Sequence, residues 1–201
     1  MATDNVIGIM GGTFNPIHLG HLELIKAAHE QFNLDKILVM PSGTPVYKNQ
    51  SEIVDAKHRC NMVELAIKDY DYMELSTIEI DRKGNTYTAD TLREIASDYD
   101  KIYFIIGADS LFAITDWYKP QYICAHCHLL CANRDEYEVE ELNRQKKLLV
   151  SKYDAKIDFI KCDSIPFSST EIRNRVKENK TITDMVGREV ENYIKDNNLY
   201  I

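Results

Sequence analysis

No apolar stretch in these 201 residues approaches the roughly 18 that a membrane-crossing helix needs, so no membrane insertion is expected. Basic residues are in the minority. Lys and Arg number 24 against 32 Asp and Glu, and the formal net charge is -8. A general nucleic-acid binder needs a basic face for phosphate contacts, so nucleic acid is not an expected partner, and any anionic ligand must be held locally. The five cysteines (Cys60, Cys124, Cys127, Cys131 and Cys162) are odd in number, which does not suit a disulfide framework. No basic segment followed by an apolar one opens the chain, and a reducing, cytoplasmic setting is the expectation. Internal repeats and low-complexity linkers are absent too. With 44% hydrophobic and 28% charged residues, the chain has enough apolar content for one substantial core, and residues 1–201 are read as a single domain.

What is present alternates. "VIGIM" (6–10) reads as a buried strand stopping in a tight turn at Gly11 and Gly12, and an amphipathic helix follows from His18 to Phe32. "KILVMPSG" (36–43) supplies a second strand. Next come a helix across residues 55–70, with Met62, Leu65 and Ala66 on one face, and strand-like "MELSTIEID". Thr88 is placed to cap another helix, with Asp90 in its first turn. "KIYFIIGA" (101–108) is the most strand-like stretch. Beyond Trp117 come "HLLCA" (128–132), a charged helical stretch from Glu136 to Lys152, "IDFIK" (157–161), and two closing helices from about Ser168 and Thr183. Strands alternating with helices predict an α/β fold: a Rossmann-like doubly wound parallel sheet with helices on both faces. Ligands then bind at strand carboxyl ends, here residues 11–21, 40–48 and 107–109.

The first of those places is "GGTFNPIHLGH" (11–21). Glycines there let backbone N–H groups approach a ligand, and the helix end adds partial positive charge, which suits a phosphate. Neither a Walker loop nor the three spaced glycines of a dinucleotide fingerprint is present. His18 and His21, three apart at the helix start, can project from one face toward one phosphate, with Gly20 leaving room between them. A zinc site on the two histidines lacks a third ligand within the turn. Far downstream, "IPFSSTEIRNRV" (165–176) fits a capping box in which Ser168 and Glu171 open a helix, with Ser169 and Thr170 in its first turn and Arg173 just after. "CAHCHLLC" (124–131) has half of a zinc-site pattern, but alternation along a strand would scatter its side chains, and buried inert thiols are the default.

Gly11, Gly12, Thr13, Phe14, Asn15, Pro16, His18, Gly20 and His21 together resemble the signature of the nucleotidyltransferases that transfer AMP or CMP from a nucleoside triphosphate. Residues 165–173 resemble that superfamily's second signature, with Phe167 in place of an isoleucine. The resemblance implies that His18 and His21 bind the triphosphate, that Arg173 grips its β- and γ-phosphates, and that these three are the catalytic residues. It also implies that Gly11, Gly12, Thr13, Phe14, Gly20, Gly107, Asp109, Ser168, Ser169 and Thr170 line the ATP site. The C-terminal helices from about residue 165 then complete that site, and Mg²⁺ accompanies ATP with no protein ligand assigned.

Further strings in family order narrow the resemblance to the bacterial nicotinate-nucleotide adenylyltransferases: "PSGTPVYK" (41–48), "HRCNMVELA" (58–66), "GNTYTADTL" (84–92), "FIIGADSL" (104–111), "WYKP" (117–120) and "NR" (133–134). Tyr47 departs from the family, standing where histidine is usual, and leaves that position's role in doubt. The activity implied is transfer of AMP from ATP to nicotinate mononucleotide, giving deamido-NAD and pyrophosphate in NAD biosynthesis. Trp117, the single tryptophan, is then a stacking platform for the pyridine ring, its alternative being a core aromatic. Backbone N–H groups of Thr86 and Tyr118 would receive the nicotinate carboxylate. Lys48 would meet phosphate, Asp109 would lie near the ribose or reacting substrate, and Arg134 would contact substrate phosphate or form a structural salt bridge. An adenylyltransferase with another acceptor, and a nucleotide-sensing module without turnover, are the rival readings. A homo-oligomer is compatible with the sequence and not specified by it.

Overall fold

The computed structural model describes residues 5–44, 52–82, 84–133, 137–162 and 167–201. Its strands are β1 (Val6–Gly12), β2 (Lys36–Pro41), β3 (Met73–Leu75), β4 (Lys101–Gly107), β5 (His128–Ala132) and β6 (Lys156–Ile160). They form one sheet in the order β3-β2-β1-β4-β5-β6. The pairings of β1 with β4, β4 with β5 and β5 with β6 are parallel, with Ile9 opposite Phe104 and Phe104 opposite Leu129. Continuous apolar runs dictate this placement. Residues 7–10, 102–106 and 129–132 are buried without alternation, as strands covered on both faces must be. Strand order reverses between β1 and β4, whose carboxyl ends carry Gly11 and Gly107, and in a doubly wound sheet that reversal is where ligands bind. The α/β class expected from the sequence is the one observed.

Internal contacts divide the chain into two compact units. The first holds the described residues up to Gly11, then Leu24–Leu38, and the described residues from Tyr87 to Cys162. Its core gathers the middles of β4 and β5 with Leu92 of α4 (Thr88–Ile95), Ile123 of α6 (Pro120–His126), and Leu142 and Leu149 of α7 (Val139–Tyr153). The second unit holds Gly12–Glu23, Val39–Thr86 and the described residues from 167 onward. There α2 (Ala56–Ile67) packs on β3 and on α10 (Arg188–Asp196), and the Tyr193 hydroxyl accepts from Asn61 Nδ2 at 2.7 Å. Burying Met62, Val63, Met185, Val190 and Ile194 there removes apolar surface worth about 1.5–3 kcal/mol per side chain.

Several local expectations change. The buried face of α2 is Arg59, Met62, Val63 and Ile67, rotated from the Met62, Leu65 and Ala66 face because β3 and α10 pack on that side. "MELSTIEID" is strand only to Leu75. The Ser76 N–H makes a last bond to the Val39 carbonyl, and the Thr77 carbonyl then captures the N–H groups of Ile80 and Asp81, starting the short α3 (Ile78–Asp81). Thr88 is the first residue of α4 and not its cap; Tyr87 takes that position, and Asp90 pairs with Arg93 at 2.8 Å. Cys124 and His126 lie on α6 and not on a strand. The last helical stretch breaks at Gly187, φ 83°, into α9 (Thr183–Val186) and α10. Among the described residues no helix is long and apolar enough to cross a membrane.

Candidate active site

β1 delivers the chain into the loop 13–18 and α1 (Leu19–Phe32) collects it. The sharp turn expected at the glycine pair lies later: the strand runs through Gly12, and the left-handed residue is Phe14 at φ 48°. Gly12 is needed for space. A Cβ there would sit 3.1 Å from the Phe14 ring, which in turn meets the His21 ring edge-on with centroids 5.1 Å apart. His18 is buried, and its ring lies 3.7 Å from that of His21, tilted by 31°. The His18 N–H donates to His21 Nδ1 at 3.2 Å, satisfying a donor at the helix start. With Nδ1 accepting, the neutral His21 ring carries its proton on Nε2, as a donor directed away from that bond. Gly20 is buried in the first turn of α1, and Thr13 is 8% exposed.

The second signature builds α8 (Ser169–Lys177) in the same compact unit. Ser168 is its N-cap, its hydroxyl accepting from the Glu171 N–H at 3.1 Å. The Ser169 and Thr170 hydroxyls are both engaged within the protein. Ser169 Oγ donates to the Pro16 carbonyl at 2.9 Å, and Thr170 Oγ1 accepts from Arg173 Nη2 at 3.3 Å. Arg173 Nη1 donates to the Asn15 carbonyl at 3.0 Å, and Nη2 lies 3.9 Å from a Glu52 carboxylate oxygen. Glycine loop, histidine pair and arginine are therefore joined directly, with donors and positive charge concentrated around residues 13–21. Such a group of donors suits a polyphosphate.

The first unit carries the remaining described candidates from residue 87 onward. Gly107 ends β4 and caps α5 (Ala108–Ala113), and Asp109, exposed on its first turn, accepts from the Tyr137 hydroxyl at 2.6 Å. Trp117 is half-buried after a 3₁₀ turn. Tyr118 is 41% exposed, and its ring lies 4.8 Å from that of Tyr87. Thr86, in the second unit, is half-buried beside the bridge between Thr44 and Asn85. Among the described residues the Tyr118 backbone N–H donates to no protein acceptor. Lys48, Tyr47 and Arg134 lie outside the described residues. All five cysteines are free. Burial pushes the thiols up, to about 11 at Cys124 and about 12 at Cys131.

The sequence model of the cytidylyltransferase-like family matches residues 9–175. A Lachnoclostridium phytofermentans protein named "Probable nicotinate-nucleotide adenylyltransferase" is 41% identical over 197 residues, covering 97% of this chain and 98% of its own length. The chain belongs to the nicotinate-nucleotide adenylyltransferase family. A second such relative, from Moorella thermoacetica, is 39% identical over 96% of this chain and 91% of its own. Among solved structures, the Plasmodium falciparum nicotinic acid mononucleotide adenylyltransferase complexed with NaAD shares the fold, with TM-score 0.77 and 22% identity over 98% of this chain and 97% of that one.

Within this adenylyltransferase-family chain, sequence reasoning passed over a set of residues that hold the loop. Asn15 is buried: its Nδ2 donates to the Glu52 carbonyl at 2.8 Å, and its Oδ1 accepts from the Val54 N–H and the Tyr200 hydroxyl at 3.2 and 3.1 Å. Burial pushes the Tyr200 phenol well above its ordinary range, so that hydroxyl stays a donor. Gly43 approaches the Glu79 carbonyl so closely that a Cβ would stand 2.2 Å from it. Only the glycine in "PSGTP" hinted at this. The rest join residues 37 to 185 positions apart and leave no local pattern.

Proposed function

We propose that this protein transfers AMP from ATP to nicotinate mononucleotide, giving deamido-NAD and pyrophosphate in NAD biosynthesis. The observation that carries the reading is the joining, within one compact unit, of the adjacent His18 and His21 rings to Arg173 through the Asn15 carbonyl. Family membership along nearly the whole chain supports the choice of reaction.

A phosphate oxygen of the mononucleotide bonds to the α-phosphorus of ATP, the bond from that phosphorus to the β-bridging oxygen breaks, and pyrophosphate leaves with the electron pair. No covalent nucleophile is required. The protein contributes position and charge. His21 Nε2–H and His18 meet the negative charge that develops on the triphosphate, and Arg173 offers its fork to the β- and γ-phosphates. Gly11, Gly12, Thr13, Phe14, Gly20 and the first turn of α8 at Ser168, Ser169 and Thr170 supply backbone donors and close approach. The Ser169 hydroxyl, committed to Pro16, acts on the loop and not on the phosphate.

On the acceptor side, Trp117 stacks on the pyridine ring, and the backbone N–H groups of Thr86 and Tyr118 receive the carboxylate. Asp109 lies near the ribose or the reacting substrate, and Gly107 lines the ATP site; Lys48 is assigned to substrate phosphate, and Arg134 to substrate phosphate or a structural salt bridge. Mg²⁺ enters as part of the substrate MgATP, held by phosphate oxygens and water. Among the described residues no three His, Cys, Asp or Glu side chains gather to hold a metal, and no protein ligand is assigned. Five free thiols support placing the enzyme in the cytoplasm. Pyrophosphate release tests the reading: ATP with nicotinate mononucleotide should yield it at least about tenfold faster than ATP alone. Equal rates with and without acceptor would refute adenylyl transfer.

A further inference from the structure

Arg59, in the first turn of α2, is a cation in the wrong place for stability alone. It is 2% exposed, and its hydrogen bonds all end on backbone carbonyls: Nη1 on Thr13 at 2.9 Å, Nε on Val54 at 3.2 Å and Nη2 on Gly43 at 3.3 Å. Among the described residues no carboxylate pairs with it. Asp55, four residues earlier, instead caps α2 by accepting from the Lys57 N–H. Burial lowers the pKa of the guanidinium while the fields of Cys60, Tyr200 and Asp55 oppose that shift, and it stays protonated as guanidinium does. A well-packed apolar side chain of similar volume commonly serves a core as well as a buried ion does or better, so packing does not explain the charge.

The shortest of its bonds acts on a peptide unit with two ends. The Thr13 carbonyl and the Phe14 N–H belong to one trans peptide, the cis bond coming two residues later at Asn15–Pro16. In a planar trans peptide the two groups point in opposite directions. Arg59 draws the oxygen toward itself and so turns the Phe14 N–H away. Phe14 stands in the left-handed region, which costs a non-glycine residue on the order of 1 kcal/mol and needs outside restraint. Among the described residues its N–H donates to no protein acceptor. Its ring also backs that of His21, so a shift of this peptide reaches the histidine.

We propose that Arg59 is a positioning residue for adenylyl transfer: by holding the Thr13 carbonyl it aims the Phe14 N–H at the triphosphate and keeps the Phe14 ring seated behind His21. The inference rests on the ATP-handling role proposed for this loop.

The test uses the whole chain labelled with ¹⁵N-phenylalanine, whose six phenylalanines give six amide signals, together with calorimetric titrations of MgATP and, separately, nicotinate mononucleotide. In the unsubstituted protein, saturating MgATP should move the Phe14 signal, assigned by its loss in Phe14→Leu. Arg59→Lys keeps the charge without the fork. If it retains a cooperative melt, it should bind MgATP about tenfold more weakly and lose about 10²-fold in kcat, with mononucleotide affinity within about twofold. Unchanged MgATP affinity, or equal weakening for both ligands, overturns the proposal. A Phe14 signal unmoved by bound MgATP overturns it even if Arg59→Lys does not fold. No MgATP binding by the unsubstituted protein overturns both this proposal and the functional reading beneath it.

Discussion

The two ring nitrogens of His21 have separate duties, and substitutions can separate them. Nδ1 accepts the His18 N–H and secures the start of α1, while Nε2–H is the group proposed to meet the triphosphate. His21→Ala removes both: kcat should fall on the order of 10²-fold to 10³-fold, with a loss of about 1 kcal/mol in stability. His21→Asn places an amide oxygen near the Nδ1 position and should recover most of the stability without recovering kcat. Steady-state kinetics and thermal melts on both variants check this, and near-normal turnover in either would make the histidine only a helix-start device. At this scale the sequence was partly readable. H-x-G-H spacing on a helix put the imidazoles together, and S-x-x-E gave the cap at Ser168. Arg59 was hidden because a charged residue on an amphipathic helix ordinarily faces water, and nothing local says that three carbonyls from elsewhere await it.

Among the elements, α8 links capping to chemistry, since the turn that Ser168 caps also carries Ser169 bound to Pro16 and Arg173 bound to Asn15. Ser168→Ala should cost about 1 kcal/mol and fray that first turn. KM for ATP should then rise while the KM for nicotinate mononucleotide stays near its original value; equal rises would deny α8 a specific role at the triphosphate. Elements were readable where the hydrophobic pattern had one interpretation. β5 begins and ends at the expected residues, and β4 within one. They were misread where tertiary contacts chose between similar options. Ile78 and Ile80 alternate as a strand would, yet the Thr77 carbonyl binds the Ile80 and Asp81 amides and winds them into helix. The face of α2 was misplaced because the elements that pack on it come from distant parts of the chain.

On the scale of the whole molecule, the C-terminal region depends on one buried carboxylate. Burial works to raise the Glu191 pKa, but hydrogen bonds from Thr183, Lys195, the Ile182 amide and Thr181 hold it down at about 2. A carboxyl depressed in the folded state stabilises above its unfolded pKa and loses that contribution as pH falls through the folded one. The window therefore runs from about 4.5 down to about 2, and the contribution is roughly 3 kcal/mol. Denaturant melts across that range should show a steep loss of stability in the unsubstituted protein and a shallower one in Glu191→Gln; identical slopes would remove Glu191 from the account. Doubly wound topology followed from the alternation of strands and helices, whereas the division into two compact units cuts through β1 and β2 and so left no linker to read. The central claim is AMP transfer to nicotinate mononucleotide, and competition tests it most directly. The unsubstituted protein is given MgATP with equal nicotinate and nicotinamide mononucleotides, and both dinucleotides are quantified by mass. Deamido-NAD should exceed NAD by about 10²-fold, because the backbone donors proposed for the acceptor pocket match a carboxylate and mismatch the donors of an amide. Formation of both equally would refute the acceptor pocket and leave adenylyl transfer standing, and formation of neither dinucleotide would contradict the central claim.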